Sequence, residues 1–281
     1  MIIAIVGLGL IGGSLAKAIK LYTPHTVIGL DIDRAVLDAA ISAGAIDQIG
    51  DPESLKTADM VFVALYPLQT INFIKENCDN FKKGAIVADC AGIKTQICAV
   101  IPEISAVKGF TFIGGHPMAG KEKGGFESSD ALLFQGASFI VVPCDSTNDK
   151  VEAFTDLVSQ LGFAQAVFAS PEEHDSIIAY TSQLPHVLST AYVLSPACLR
   201  HSGFSAGSFK DVSRVAMINE RLWSELFIEN KAPLAREIDL LIDNLSLLKE
   251  RIVFGESEAL KSLLAKGREI KRTAEGAEDK Q

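Results

Sequence analysis

The stretch Gly7-Leu8-Gly9-Leu10-Ile11-Gly12 constrains this chain more than any other. It follows a short β-prone run at residues 2–6 and opens a helical pattern at residues 12–20. Glycines at this spacing let a strand turn sharply into a helix. Gly7 permits the turn, Gly9 lets the backbone approach a pyrophosphate, and Gly12 lets helix and strand pack closely. The helix start then offers unpaired N–H groups and a positive dipole end to phosphates. Asp31 closes the next apolar run, about 20 residues on, where a carboxylate accepts hydrogen bonds from ribose hydroxyls and repels a 2′-phosphate. The pattern predicts a dinucleotide site, with Leu10 and Ile11 in the same turn, that prefers NAD over NADP; Arg34, close by, argues the other way. A glycine-rich turn without a ligand is the competing reading. Leu65 and Pro67, in Leu65-Tyr66-Pro67, sit where a second loop covers the dinucleotide in such architectures, or where a strand simply turns into a helix.

Further apolar runs at residues 26–30, 60–65, 85–88, 111–114 and 138–142 alternate with helical patterns at 34–43, 67–77 and 95–104. Short runs that are apolar throughout suit strands buried on both faces of a parallel sheet. Their alternation with helices predicts a Rossmann-like, doubly wound α/β fold with right-handed crossovers. A last run at 164–169 closes that domain. From Ser170 the texture changes. Ser170-Pro171-Glu172-Glu173 places a capping hydroxyl, a first-turn proline and acidic side chains in the order a helix start requires. No strand pattern follows, so the 281 residues divide into a dinucleotide-binding domain over 1–170 and an all-helical C-terminal domain over 171–281. There Leu234, Ile238, Leu241, Leu245, Leu248 and Ile252 follow Pro233 at helical spacing, Gly255 interrupts, and Leu260, Leu263 and Leu264 mark a final helix. Such long stripes on a small domain predict burial against a second copy, hence a homodimer. Residues 273–281 are polar and expected to fray.

The net charge of −9, with no basic excess in either half, excludes nucleic acid as the expected partner. No uninterrupted apolar stretch of about 18 residues exists, so no membrane span is expected. Cys78, Cys90, Cys98, Cys144 and Cys198 show no C-x-x-C spacing; neither a disulfide framework nor a metal site is written here, and reduced thiols are expected. The apolar N-terminus lacks a cationic start and is broken by glycines, which speaks against a signal peptide and for a cytoplasmic protein.

His116 lies in Gly114-Gly115-His116-Pro117-Met118-Ala119-Gly120, just past the run at 111–114 and on the sheet edge where a nicotinamide would lie. An imidazole titrates near neutral pH and can take a proton as hydride leaves a C–OH carbon. A structural histidine is the alternative. This stretch, the N-terminal fingerprint, Ser182-Gln183-Leu184-Pro185-His186 and Phe209-Lys210-Asp211-Val212-Ser213-Arg214 together resemble the prephenate dehydrogenase family, which includes arogenate and cyclohexadienyl dehydrogenases. The resemblance covers nearly the whole chain, and its His-Pro-Met-Ala-Gly and Leu-Pro-His pieces are its most particular parts.

What the resemblance implies is NAD-dependent oxidative decarboxylation of prephenate, a small-molecule substrate, to 4-hydroxyphenylpyruvate in tyrosine biosynthesis. By resemblance, His116 draws the proton from the ring hydroxyl and Arg214 grips a substrate carboxylate, for which a guanidinium fork is suited. His186 and Ser182 fall in the same pocket, and Trp223 supports it. Lys121 and Glu122 follow the catalytic motif and are candidates for the pyruvyl carboxylate, for a lid, or for telling a keto from an amino side chain; a solvated loop is the alternative. A surface arginine and a core histidine are the plain readings of Arg214 and His186. Gly92 falls beside the nicotinamide, where many relatives carry a serine that orients the histidine; orientation here is left to a water, a backbone group or another side chain. Lys94 fits the family pattern and is expected to pair with Asp89. The fingerprint starts at residue 2 and the chain ends where longer relatives carry a regulatory domain, so any tyrosine feedback is expected at the active site or subunit interface. Competing readings are an arogenate dehydrogenase, another two-domain β-hydroxyacid dehydrogenase, and a non-enzymatic dinucleotide sensor.

Overall fold

The computed structural model describes residues 1–144 and 146–278, as one compact unit over Met1–Lys231 and a second over Ala232–Gln281. In the first unit, β1 (Ile2–Val6), β2 (Thr26–Leu30), β3 (Gln48–Ile49), β4 (Met60–Val63), β5 (Ile86–Asp89), β6 (Thr111–Pro117), β7 (Ser138–Val142) and β8 (Gln165–Phe168) form an eight-stranded sheet in the order β3-β2-β1-β4-β5-β6-β7-β8. Strand side chains alternate between faces, so Ile3 and Ile5 of β1 join one apolar cluster and Ala4 and Val6 join the other. Helices α1 (Leu10–Tyr22), α2 (Arg34–Ser42) and α6 (Asn148–Gln160) cover the first face, through Leu15, Ile19, Leu37, Phe154 and Leu157. Helices α3 (Pro67–Asn77), α4 (Thr95–Cys98) and α5 (Ile101–Lys108) cover the second, through Ile71, Ile74, Ile97 and Ile101.

The expected doubly wound sheet is present, with differences in detail. β3 was not foreseen: it is a two-residue strand without an apolar run, held to β2 by its backbone. The pattern over 95–104 is two helices, because Pro102 sits in the first turn of α5 and cannot continue a preceding helix. Helix α6 was also not anticipated, although Phe154, Leu157 and Val158 are buried on one side of it. The sheet is not wholly parallel. β6 pairs with β7 antiparallel, His116 lying opposite Ile140. A parallel partner would need a crossover helix, and residues 118–137 contain only the short helical turn Phe126–Ser128. His116 consequently lies inside the extended β6, not beyond its end.

After β8, the Ser170 hydroxyl accepts from Glu173 N and starts α7 (Pro171–Ile178). A π turn, Ala179–Gln183, leads into α8 (Leu184–Val193), followed by α9 (Gly207–Ser213) and α10 (Glu220–Glu229). The last helices are α11 (Lys231–Val253) and α12 (Ser257–Glu278), separated at Gly255, whose φ of +67° favours glycine. The tail expected to fray is helical through Glu278, and residues 279–281 lie outside the described residues. Leu245, Ile252 and Phe254 of the second unit are exposed. Among the described residues no helix is long and apolar enough to cross a membrane.

A fully buried ion pair stands at the carboxyl end of β5. Asp89 accepts from Lys94 Nζ, from Ala91 N at 2.9 Å and from Gly115 N at 3.0 Å, and neither charged side chain is exposed. Removing one member of such a pair leaves an uncompensated buried charge. Lys94→Met is therefore expected to lose about 3–5 kcal/mol of stability, measured by denaturant unfolding.

Candidate active site

The glycine turn carries the geometry the motif calls for. Gly7 has φ +84° and donates its N–H to Leu30 O at 2.8 Å, and a Cβ there would lie 2.7 Å from both Ala64 O and Leu65 Cδ2. At Gly12 a Cβ would lie 1.8 Å from Gly7 O, whereas at Gly9 it would meet nothing within 4 Å. The N-terminus of α1 has no side-chain cap, so the Leu10, Ile11 and Gly12 amides stay available. Asp31 takes one donor on each oxygen, Leu8 N at 2.7 Å and Asp33 N at 2.9 Å. Further lone pairs stay free on each oxygen. Open space over Gly9, uncapped amides and a positioned carboxylate fit a dinucleotide. Arg34 is turned along its own helix to Asp38, 3.0 Å away, and is largely exposed. Pro67 is buried in the first turn of α3, and Leu68 N donates to Glu225 Oε1 of α10 at 2.9 Å. Asn219, capping α10, lies 3.4 Å from Tyr66 Oη, so α10 is tied to this turn from both residues.

His116 extends from β6 at the same sheet edge. Its Nδ1 is 2.9 Å from His174 Nε2, and His174 Nδ1 is 2.7 Å from Asp175 Oδ1. Burial, followed by the charges of His174 and Lys94, holds the pKa of His116 well below its usual 6.5, with Asp175 acting against them. A Cβ on Gly92 would stand 3.9 Å from His116 Nε2 and 3.4 Å from Leu226 Cδ2, so Gly92 and His116 are brought together, with α10 alongside. Asp175 also accepts from Lys94 N at 2.7 Å and Thr95 N at 2.8 Å. Its carbonyl accepts from Asn230, which in turn donates to Gln183.

The other anticipated residues fall in two places. His186 stacks on Trp223 with ring centroids 3.7 Å apart, and its Nδ1–H donates to Ser182 O at 2.8 Å. Burial lowers the pKa of His186, the Ser182 carbonyl opposes this, and the Arg214 charge lowers it again. Arg214 faces Glu122 at 3.5 Å, both side chains exposed. Lys121 turns elsewhere, to Ser128 O at 3.1 Å and Asp130 at 3.2 Å. It lines a surface cavity of about 440 Å³ with Lys123 and Glu127. Ser182 belongs to the π turn, an insertion found often at functional sites. His174 and Asp175 were missed from the sequence. The available signal was a pair of titratable residues one turn after the Ser170 cap, with nothing local to show that they face His116, 58 positions away.

A Rossmann sheet that carries the glycine turn and a largely buried imidazole on the same edge fits a nucleotide-dependent oxidoreductase. Residues 15–167 match the family model for the prephenate dehydrogenase nucleotide-binding domain, and residues 170–266 that for the prephenate dehydrogenase dimerization domain. The chain belongs to the prephenate dehydrogenase family. It is 30% identical over 271 residues to prephenate dehydrogenase of Bacillus subtilis (strain 168), covering 92% of this chain and 72% of the relative. The crystal structure of prephenate dehydrogenase from A. aeolicus in complex with hydroxyphenyl propionate and NAD+ superposes with a TM-score of 0.84 at 27% identity, over 98% of each chain. Synechocystis arogenate dehydrogenase gives 0.82 at 25% identity, over 98% of this chain and all of that one.

Substitutions in the glycine turn separate packing from binding. Gly12→Ala is expected to cost at least about 1–3 kcal/mol from overpacking. Gly9→Ala is expected to leave the unfolding midpoint near that of the parent while weakening nucleotide affinity, read by calorimetric titration with NAD.

Proposed function

We propose that this chain is an NAD-dependent prephenate dehydrogenase, converting prephenate to 4-hydroxyphenylpyruvate in tyrosine biosynthesis. The observation that carries the proposal is the His116 imidazole, bonded through Nδ1 to His174 and with its Nε2 facing Gly92, on the sheet edge that holds the dinucleotide turn; burial lowers its pKa, which favours the neutral form. In this reading the glycine turn, Leu10, Ile11 and the start of α1 hold the pyrophosphate. Asp31 holds the adenosine ribose, while Leu65, Pro67 and Gly92 border the nicotinamide end. Bound NAD supplies the hydride acceptor. His116 Nε2 accepts a hydrogen bond from the ring hydroxyl and takes its proton as the ring carbon is oxidised, and the ring carboxylate leaves as carbon dioxide. Aromatisation drives the reaction, so the residues need mainly to orient the donor carbon and polarise the hydroxyl.

Arg214 grips a carboxylate of the substrate, with His186 and Ser182 on the same side of the pocket and Lys121 on its lid. Glu122 faces Arg214 and is thereby matched to a cation of the protein. This favours the keto side chain of prephenate over the ammonium of arogenate. We place the functional boundary at 170/171, with the helical substrate part following. The exposed apolar residues of α11 and α12, together with the match to a dimerization domain, support a homodimer. The family's biosynthetic role supports a cytoplasmic location. Velocity sedimentation is expected to show a species of twice the chain mass; a monomer at micromolar concentration overturns the dimer.

Steady-state NADH formation tests the activity, with prephenate expected to exceed arogenate as substrate and NAD to exceed NADP as acceptor. His116→Asn is expected to lower turnover by roughly 10²–10⁴-fold with little change in NAD affinity, and Arg214→Ala to raise mainly KM. His116 must be neutral to accept the proton. With its pKa depressed, the acid limb of kcat/KM is expected below pH 6.5, and activity falls as pH drops through that folded-state value. Burial sets it first, followed by the charges of His174 and Lys94, with Asp175 opposing them.

A further inference from the structure

We infer that His174, held by Asp175, is a positioning residue that fixes the tautomer of His116 and leaves its Nε2 as the proton-accepting atom. The inference rests on the dehydrogenase reading above and adds to it the residues that prepare the base. The Asp175 carboxylate is almost fully buried and already accepts Lys94 N, Thr95 N and His174 Nδ1. An ionised carboxylate only accepts, so the hydrogen of neutral His174 is on Nδ1. Its Nε2 then carries a lone pair, and the 2.9 Å contact to His116 requires the hydrogen on His116 Nδ1. The second nitrogen of His116, Nε2, is left with a lone pair and no hydrogen-bond partner among the described residues.

Doubly protonating His174 would reverse this order, and its surroundings oppose it. His174 has no exposed side-chain surface, and burial lowers its pKa despite the adjoining Asp175. The rings meet edge-on at 61°, which restrains the imidazole of His116. When Nε2 takes the substrate proton, His116 becomes a cation with N–H on both nitrogens. Its Nδ1–H bond to His174 becomes charge-assisted, and Asp175 lies one residue further along the chain of bonds as the compensating anion. A free imidazole favours the opposite tautomer, Nε2–H, which has no lone pair where the hydroxyl would arrive. His174 and Asp175 supply the preference that selects the productive form.

The test is the nitrogen-15 NMR spectrum of the histidine rings in the full-length protein, joined to kinetics. His116 is expected as the Nδ1–H tautomer in the wild type and as mainly Nε2–H in H174F. H174F is expected to lower kcat on the order of 10–100-fold, the scale for partners that orient a working imidazole, with KM unchanged. H174Q, whose side-chain oxygen can accept the same hydrogen, is expected to recover most of that loss. An Nε2–H tautomer at His116 in the wild type overturns the inference, and this reading stands even if H174F does not fold. So does wild-type kcat in a folded H174F. An Nδ1–H tautomer in an enzyme that oxidises neither prephenate nor arogenate supports the positioning and strikes only the functional reading.

Discussion

The arrangement around His116 depends on one buried carboxylate, Asp89. Two ions without solvent exposure carry a heavy desolvation cost, offset only if their remaining bonding capacity is filled. Here it is filled from the backbone: Ala91 N and Gly115 N complete what Lys94 Nζ begins. Because one of those donors is the residue preceding His116, the carboxylate sets where that imidazole leaves β6. Because Lys94 gives its own N–H to Asp175, the same loop sets where His174 leaves α7. Gly115 has to be glycine for this to work, since a Cβ would stand 2.4 Å from Asp89 O. A buried ion pair contributes uncertainly to net stability, but it locates its neighbours closely, and here it locates both imidazoles.

The parts of the fold legible in the sequence are those whose burial pattern is local. Strands β1 and β4 are apolar throughout because both faces are covered, and their runs announce themselves. β3 does not, because Gln48 and Ile49 join the sheet through backbone bonds that any residue could make. The reversal of β7 is likewise set by the connection and not by the strand: a segment without a helix cannot carry the chain back for a parallel pairing. That cue was present in residues 118–137, as was the break at Pro102. Reading them would have corrected the sheet and divided the helix.

The site follows the same division. Gly7, Gly9, Gly12 and Asp31 are close in sequence and act through one turn, so their spacing alone predicts a geometry that the distances match. The place of His116 at the sheet edge was legible from its glycine flanks and the preceding apolar run. His174 was not, since its meaning lies in a contact across the fold. Lys121 stands next to the His116 motif, and its ammonium turns to the loop at Ser128–Asp130, which packs on α1 through Lys17 and Ser14, a set of contacts that its position in the sequence does not announce.

Gly92 gains a physical reason from this geometry. A serine there would sit on the Nε2 side of His116, where its hydroxyl could orient the ring but would also compete for the lone pair that takes the proton in the proposed reaction. With glycine, that side stays open to the substrate hydroxyl, and Leu226 of α10 flanks it with apolar surface. Orientation then has to come from Nδ1, on the side away from the reaction, and that is where His174 stands. An anchor behind the base does not need to move aside when substrate arrives. Its own support reaches through Asp175, Asn230 and Gln183 to α10, which carries Leu226 and is tied to the start of α3, just past the Leu65–Pro67 turn, by Glu225. The helix beside Nε2 of His116 is therefore bonded both to the residues that hold the ring from behind and to the Leu65–Pro67 turn, so in the proposed reading the base and the cofactor edge share a common frame.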